Sequence, residues 1–113
     1  MVEIIAIVRA NKTSAAKQAL LDAGCPGFTC QRCRGRGKKP IDIVMPDGSS
    51  VKTKLVSKRI FNIFCEDEMQ DKLVEAIIKA TSTGNPGDGK IFVCPVETAY
   101  SVREGTKSRI PDN

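Results

Sequence analysis

Histidine and tryptophan are both absent from the 113 residues. Without histidine the chain has neither the commonest general base nor the commonest metal ligand. Without tryptophan, and with only four phenylalanines and one tyrosine, core filling falls to isoleucine, valine, leucine and alanine. Paired carboxylates at catalytic spacing and a Ser/His/Asp arrangement are not discernible, so the chain lacks the usual equipment of an enzyme. No apolar run approaches the roughly 20 residues that cross a bilayer as a helix. The apolar part of the opening MVEIIAIVRANK is too short for a signal peptide, and the expected compartment is the cytosol.

What is present is positive charge. Eighteen lysines and arginines against thirteen acidic residues leave a net charge of +5. That balance favours anionic partners: nucleotides, nucleic acid, acidic proteins or small carboxylates. The length suits one domain spanning residues 1–113, and the apolar fraction is that of a globular protein.

Residues 2–9, VEIIAIVR, form a β-branched run that reads as a strand buried on both faces. Asn11 or Thr13 is placed to N-cap a helix with apolar positions Ala16, Ala19, Leu20 and Ala23, which Gly24 stops. A second strand is predicted over 28–34 and a third over 55–65. Asp67 caps a second helix running through Thr81, with Met69, Leu73, Val74, Ala76, Ile77, Ile78 and Ala80 on a broad apolar face. A fourth strand follows over 90–95, and 96–113 is a short charged C-terminal segment. Between strands two and three, residues 37–54 carry Pro40, Pro46 and Asp47-Gly48-Ser49-Ser50 without a sustained period, so the segment reads as a long irregular stretch, functional or disordered rather than filler. The order β-α-β-β-α-β predicts an α+β, ferredoxin-like sandwich with both helices on one face of an antiparallel sheet. Its other face needs a cover, and an oligomer partner is the natural one.

Three motifs carry chemistry. TGNPGDGK, residues 83–90, fits the first seven letters of a P-loop from Gly84, but Ile91 stands where Ser or Thr belongs. A P-loop also runs strand, loop, helix, whereas here a helix precedes the loop and a strand follows. Two readings remain open: glycine amides and Lys90 cradling an anion, or a helix C-cap followed by a turn. Arg32, Arg34, Arg36, Lys38 and Lys39, with Lys52, Lys54, Lys58 and Arg59, form either a polyphosphate or dicarboxylate site or a solvated charged face. An RNA-recognition module shares the element order, but the third strand lacks the glycine and aromatic pattern that one needs. Cys25, Cys30 and Cys33 have the C-x4-C-x2-C spacing of a plant-type iron–sulfur site, with Cys65 or Cys94 as a fourth ligand. Residues three apart on a strand point to opposite faces, so Cys30 and Cys33 reach one metal only across a bulge.

Glu3-Ile4-Ile5-Ala6-Ile7-Val8-Arg9, Ala19-Leu20-Leu21-Asp22-Ala23-Gly24, Gly35-Arg36-Gly37-Lys38 and above all Thr83-Gly84-Asn85-Pro86-Gly87-Asp88-Gly89-Lys90-Ile91-Phe92-Val93 resemble the PII nitrogen-regulatory signalling proteins, along nearly the whole chain. Gly35 to Lys39 and Gly84 to Lys90 look most like the nitrogenase-associated branch. The resemblance implies a regulatory protein rather than an enzyme. It also implies a trimer with sheets inward, ATP or ADP in the clefts between subunits, and a T-loop over 37–54 that touches the regulated target. Phosphates are then held by the loop at 82–90, through Gly87, Asp88, Gly89 and Lys90, by Gly35, Gly37 and Lys38, and by Arg103. Ile7, Gly27, Phe28, Thr29 and Phe64 fall around adenine and ribose, and Lys58 matches a lysine that holds 2-oxoglutarate. The implied target is a nitrogenase component, or alternatively an ammonium transporter. The trimer is of one chain or mixed with a sister PII protein, and no nucleic acid is expected.

Some positions depart from the family pattern. Lys39 replaces the glutamine that coordinates the Mg²⁺ between ATP and 2-oxoglutarate, and Ile41 replaces a glycine. Either Lys39 meets a carboxylate directly or that site is lost. Ser101 replaces a second phosphate-binding arginine, which implies weaker nucleotide binding. No tyrosine in 37–54 is available for uridylylation, whereas Ser49 and Ser50 are open to phosphorylation.

Overall fold

Val2, Ile4, Ala6 and Val8 alternate with Glu3, Ile5, Ile7 and Arg9 along strand β1 (Val2–Arg9), and only the first set is buried. This computed structural model describes residues 1–25, 27–36, 41–53 and 55–109. The expectation of a strand buried on both faces is therefore corrected for the single chain. One face of β1 packs on helices, while the other is half-covered by its sheet neighbours alone.

Helix α1 (Thr13–Asp22) and helix α2 (Gln70–Thr81) lie on the buried face, where Ala16, Leu20, Leu73 and Ile77 close over Ile4, Ala6, Phe61 and Ile63. Strands β2 (Thr29–Gly35), β5 (Val56–Cys65) and β6 (Gly89–Pro95) join β1 in one antiparallel sheet of order β2-β5-β1-β6. With both helices on one face, this is the predicted α+β ferredoxin-like arrangement, with strand ends within a residue of those expected. No helix among the described residues is long and apolar enough to cross a membrane.

The helix ends differ from the reading of the sequence. A 3₁₀ turn (Ala10–Lys12) precedes α1, and neither Asn11 nor Thr13 caps it; the Thr13 hydroxyl instead donates backward to the Ala10 carbonyl at 2.6 Å. Asp67 lies in a second 3₁₀ turn (Asp67–Met69), and its carboxylate accepts the N-terminal ammonium at 2.8 Å rather than capping α2. The stop at Gly24 is as expected. Its φ of 86° lets the Cys25 amide reach the Leu20 carbonyl at 2.9 Å and its own amide reach that of Leu21 at 3.0 Å, closing a Schellman motif. On α2 the apolar face is narrower than predicted: Ile78 is half-exposed, while Thr81 is buried with its hydroxyl bonded to the Ile77 carbonyl at 2.7 Å.

Residues 41–53 are not an irregular loop. Strands β3 (Ile41–Val44) and β4 (Ser50–Thr53) pair antiparallel as a separate two-stranded sheet. The turn between them is held by the Asp47 carboxylate, which accepts from the Ser49 amide at 2.9 Å and hydroxyl at 2.6 Å, and by Gly48 at φ 87°. A Pro-Asp-Gly sequence between apolar residues is a turn signal with a mechanism. Asx-type bonding at Asp47 and a left-handed glycine outweigh the lack of a longer period on either side.

Candidate functional site

The sheet face away from the helices gathers most of the sequence-predicted residues in rows, because cross-strand partners share a face. One row runs Gln31, Ile60, Ile7, Lys90; the next toward the loop runs Cys33, Lys58, Arg9. On the other side lie Thr29, Asn62, Ile5 and Phe92, and beyond them Phe64 and Glu3. Phe64 and Phe92 are 44% and 47% exposed on this open face, an apolar surface beside cations.

The loop after α2 crosses the end of these rows. Gly84, Gly87 and Gly89 all have positive φ. Asp88 determines the loop's shape. Its carboxylate accepts from the Thr83 hydroxyl at 2.5 Å, from the Thr83 and Gly84 amides at 2.8 Å each, and from Arg9 Nε at 2.9 Å. A second nitrogen of Arg9 donates to the Pro86 carbonyl at 2.7 Å. From the sheet below, the Lys58 ammonium donates to the Gly87 carbonyl. The loop is thus pinned from inside by its own carboxylate and from beneath by two strand cations. The Gly84 amide is consumed by Asp88, so the nest that the glycine pattern suggests is partly filled by the chain itself. Lys90 is exposed and has no ion-pair partner among the described residues.

Charge state follows from these contacts. The Thr83 hydroxyl above all, with the Arg9 guanidinium and two amides, holds the Asp88 carboxyl well below the usual carboxylate range, although burial opposes them as the second-largest effect. Burial first, then neighbouring Arg9, pushes the Lys58 ammonium down, partly offset by Asp88. Lys58 is only 6% exposed. A carboxylate whose folded value is depressed adds stability above its unfolded value near ~4, and that stability is lost as pH falls through the folded value. The loop is therefore expected to stay latched while ordinary carboxylates titrate, and to open only in stronger acid. Carbon-detected NMR of the Asp88 carboxyl checks this; a titration step near pH ~4 contradicts it.

Not every predicted residue joins this face. The Phe28 ring packs on Phe61 with centroids 5.4 Å apart, on the helix side, so it meets a ligand on the open face only through its backbone. Gly27 is exposed beside it, and Gly35 lies opposite Val56 next to the Lys58 side chain. The Arg103 side chain is 84% exposed in a separate turn and, among the described residues, pairs with Glu104 at 3.4 Å. Ser101 is buried, its hydroxyl accepting from the Glu104 amide at 3.2 Å. Gly37, Lys38 and Lys39 lie outside the described residues.

Arg9 and Thr83, which hold the loop, were not legible as site residues. Their signal is faint: Arg9 shares the parity of Ile7 on β1, and Thr83 stands five residues before the carboxylate it binds. The cysteine motif is divided by the sheet. Cys30 packs against the core opposite Phe61, while Cys33 faces away opposite Lys58, with no bulge between them. The RNA-module reading fares no better, since the central open-face positions are Ile5, Ile7, Ile60 and Asn62 rather than aromatics.

A family model described as "Nitrogen regulatory protein P-II" matches residues 1–106. The chain is 38% identical over 109 residues to "Nitrogen regulatory protein P-II 2" of Methanothermobacter thermautotrophicus, covering 96% of this chain and 95% of that one. It is 39% identical over 116 residues to "Nitrogen fixation nifHD region GlnB-like protein 2" of Methanothermobacter marburgensis, covering 95% and 96%. A protein of the same description from Methanococcus maripaludis is 39% identical over 113 residues, covering 91% and 93%.

Proposed function

Since this chain belongs to the P-II family of nitrogen regulatory proteins, whose members are regulators rather than enzymes, we propose that it senses adenine nucleotides at the 83–90 loop and reports occupancy to a target through residues 37–54. The observation that carries this reading is the exposed Lys90 beside a glycine loop whose shape Asp88 has already set. An anion bound there meets a preorganised backbone, so little ordering entropy opposes binding. ATP and ADP compete for the phosphate position, with Mg²⁺ accompanying ATP. Gly35, Gly37, Lys38 and Arg103 complete the phosphate contacts, and Ile7, Gly27, Phe28, Thr29 and Phe64 enclose the base and ribose.

The half-exposed Phe64 and Phe92 and the separate position of Arg103 favour a site completed by further copies, in a homotrimer with open faces inward or in a mixed trimer with a sister chain. 2-Oxoglutarate is assigned to Lys58, with Lys39 as a second cation. A carboxylate there competes with the Gly87 carbonyl for the Lys58 ammonium, which links that ligand to the loop. A nucleotide shifts the 37–54 segment only by as much as it prefers one of that segment's states. The nifHD-region relatives favour a nitrogenase component as the target, over an ammonium transporter, in the cytoplasm.

Calorimetric titration with ATP and with ADP tests the reading. Saturable heats with mutual competition are expected, and no binding at millimolar nucleotide overturns it.

A further inference from the structure

Five cysteines are present, all as free thiols, and the fold sorts them. Cys33 and Cys94 face the open side of the sheet, opposite Lys58 and Glu3. Cys30 lies on the helix side opposite Phe61, four residues along β5 from Cys65. At ~3.3 Å per strand residue that is about 13 Å, too far for a bond between them. Cys25 and Cys65 differ, because the topology brings them to one corner.

Strands β2 and β5 run antiparallel with Thr29 opposite Asn62, so the chain before Thr29 passes beside the residues after Asn62. Cys25 precedes Thr29 by four residues, and Cys65 follows Asn62 by three. Strand parity turns Cys65 to the helix side with Phe61 and Ile63, where it is buried. Cys25 reaches the same side from the end of α1 and packs, half-buried, against the core cluster that contains Cys65. Both backbones are already fixed. The Cys25 amide donates to the Leu20 carbonyl at 2.9 Å, and Cys65 pairs with Val2 of β1. Burial pushes both thiols up, and after burial the largest influence on Cys65 is Cys25 itself. The reduced pair is thus uncharged at neutral pH and packs as two small apolar side chains.

We propose that Cys25 and Cys65 form a reversible thiol–disulfide site, closed by a low-molecular-weight disulfide, that pre-orders the base-binding segment for nucleotide. The half-buried Cys25 first forms a mixed disulfide with the oxidant and releases one reduced thiol. The Cys65 sulfur then displaces the second. Two electrons from the protein thiols reduce the oxidant's S–S bond, and their two protons leave with the two released thiols. Cys25 stands two residues before Gly27, and Cys65 directly follows Phe64. Gly27, Phe28, Thr29 and Phe64 are the residues assigned to base and ribose, so the regulatory half of the proposal rests on the nucleotide reading. In the reduced chain the Cys25 thiol donates to the Gly27 carbonyl at 3.7 Å, a weak restraint. A covalent link orders both flanks of the site before nucleotide arrives, which lowers the ordering cost of binding. In the cytoplasm assigned above, a disulfide of this kind is transient and redox-sensing rather than structural. The pair also lies on the helix side, away from the open face that the proposed trimer turns inward.

The test equilibrates the full chain in glutathione buffers of graded reduced-to-oxidised ratio, quenches by alkylation and maps the products by mass spectrometry. One disulfide, Cys25–Cys65, is expected, with Cys30, Cys33 and Cys94 alkylated, and Cys30→Ser should leave it intact. Cys25→Ser should abolish it without moving the melting midpoint of the reduced protein. The oxidised form is expected to bind ATP at least about 5-fold more tightly, and saturating ATP should shift the oxidation equilibrium by the same factor. In Cys25→Ser the oxidant should leave ATP affinity unchanged. No disulfide in oxidising buffer, or a different pairing, overturns the site. A mapped disulfide with equal ATP affinity in both forms overturns its regulatory role. If neither form binds ATP, the nucleotide reading fails and the regulation with it, while the mapped bond stands on its own.

Discussion

Replacing Gly89 by alanine is expected to dislodge the loop and to abolish nucleotide binding. At this position a Cβ would stand 1.7 Å from the Ile7 carbonyl oxygen and 2.8 Å from its carbon, so the obstacle is backbone rather than a movable side chain. The residue also sits at φ +106°, where an L side chain is strained in any case. Gly89 pairs with Val8 at the start of β6, so relief requires the first residues of that strand to leave β1. A loss of about 3 kcal/mol or more is expected, at the upper end for single substitutions. Gly84→Ala is the control: its φ is +81°, but a Cβ there meets nothing within 4 Å, so backbone strain of about 1–2 kcal/mol is the whole cost. Denaturant unfolding and calorimetry of both variants check the contrast. A Gly89→Ala protein with parental midpoint and affinity would falsify the close-approach account.

Lys90→Ala is expected to weaken ATP and ADP by about 10- to 100-fold while leaving the melting midpoint unchanged. Lys90 is exposed and forms no ion pair among the described residues, so its removal costs the fold little. Its place on the open face, beside Ile7 and one row from Lys58 and Arg9, leaves it, among the described residues of these rows, a cation open to a phosphate. Arg9 and Lys58 already hold the loop. A charge-assisted hydrogen bond contributes about 1.5–3 kcal/mol, which is the range of affinity stated. Lys90→Arg keeps the charge and should recover part of the loss. Unchanged affinity in Lys90→Ala would leave the loop a turn and nothing more, even if nucleotide binds elsewhere.

The two variants separate what sequence and structure contribute. The element order, helix before the loop and strand after it, was legible from periodicity and was enough to exclude a P-loop. The need for glycine at 89 was visible only as a letter; its reason, the approach of the Ile7 carbonyl, comes from pairing two strands about eighty residues apart. The hairpin at 41–53 was legible in principle from Pro46-Asp47-Gly48, but runs of four residues on each side are too short for a period to show.

By itself, then, the sequence determined the α+β order, the apolar stripe of α1 and the family, because these rest on local periodicity and on contiguous motifs. Only the tertiary structure decided the rest. Asp88 became the loop's internal latch because Thr83 and Arg9 converge on it from five residues away and from another strand. Lys58 and the three arginines at 32, 34 and 59 parted to opposite faces because strand parity, read through the register with β2, sends adjacent residues apart. Side-chain direction along a strand alternates with every residue, so which charges act together depends on strand pairing, which local sequence does not encode.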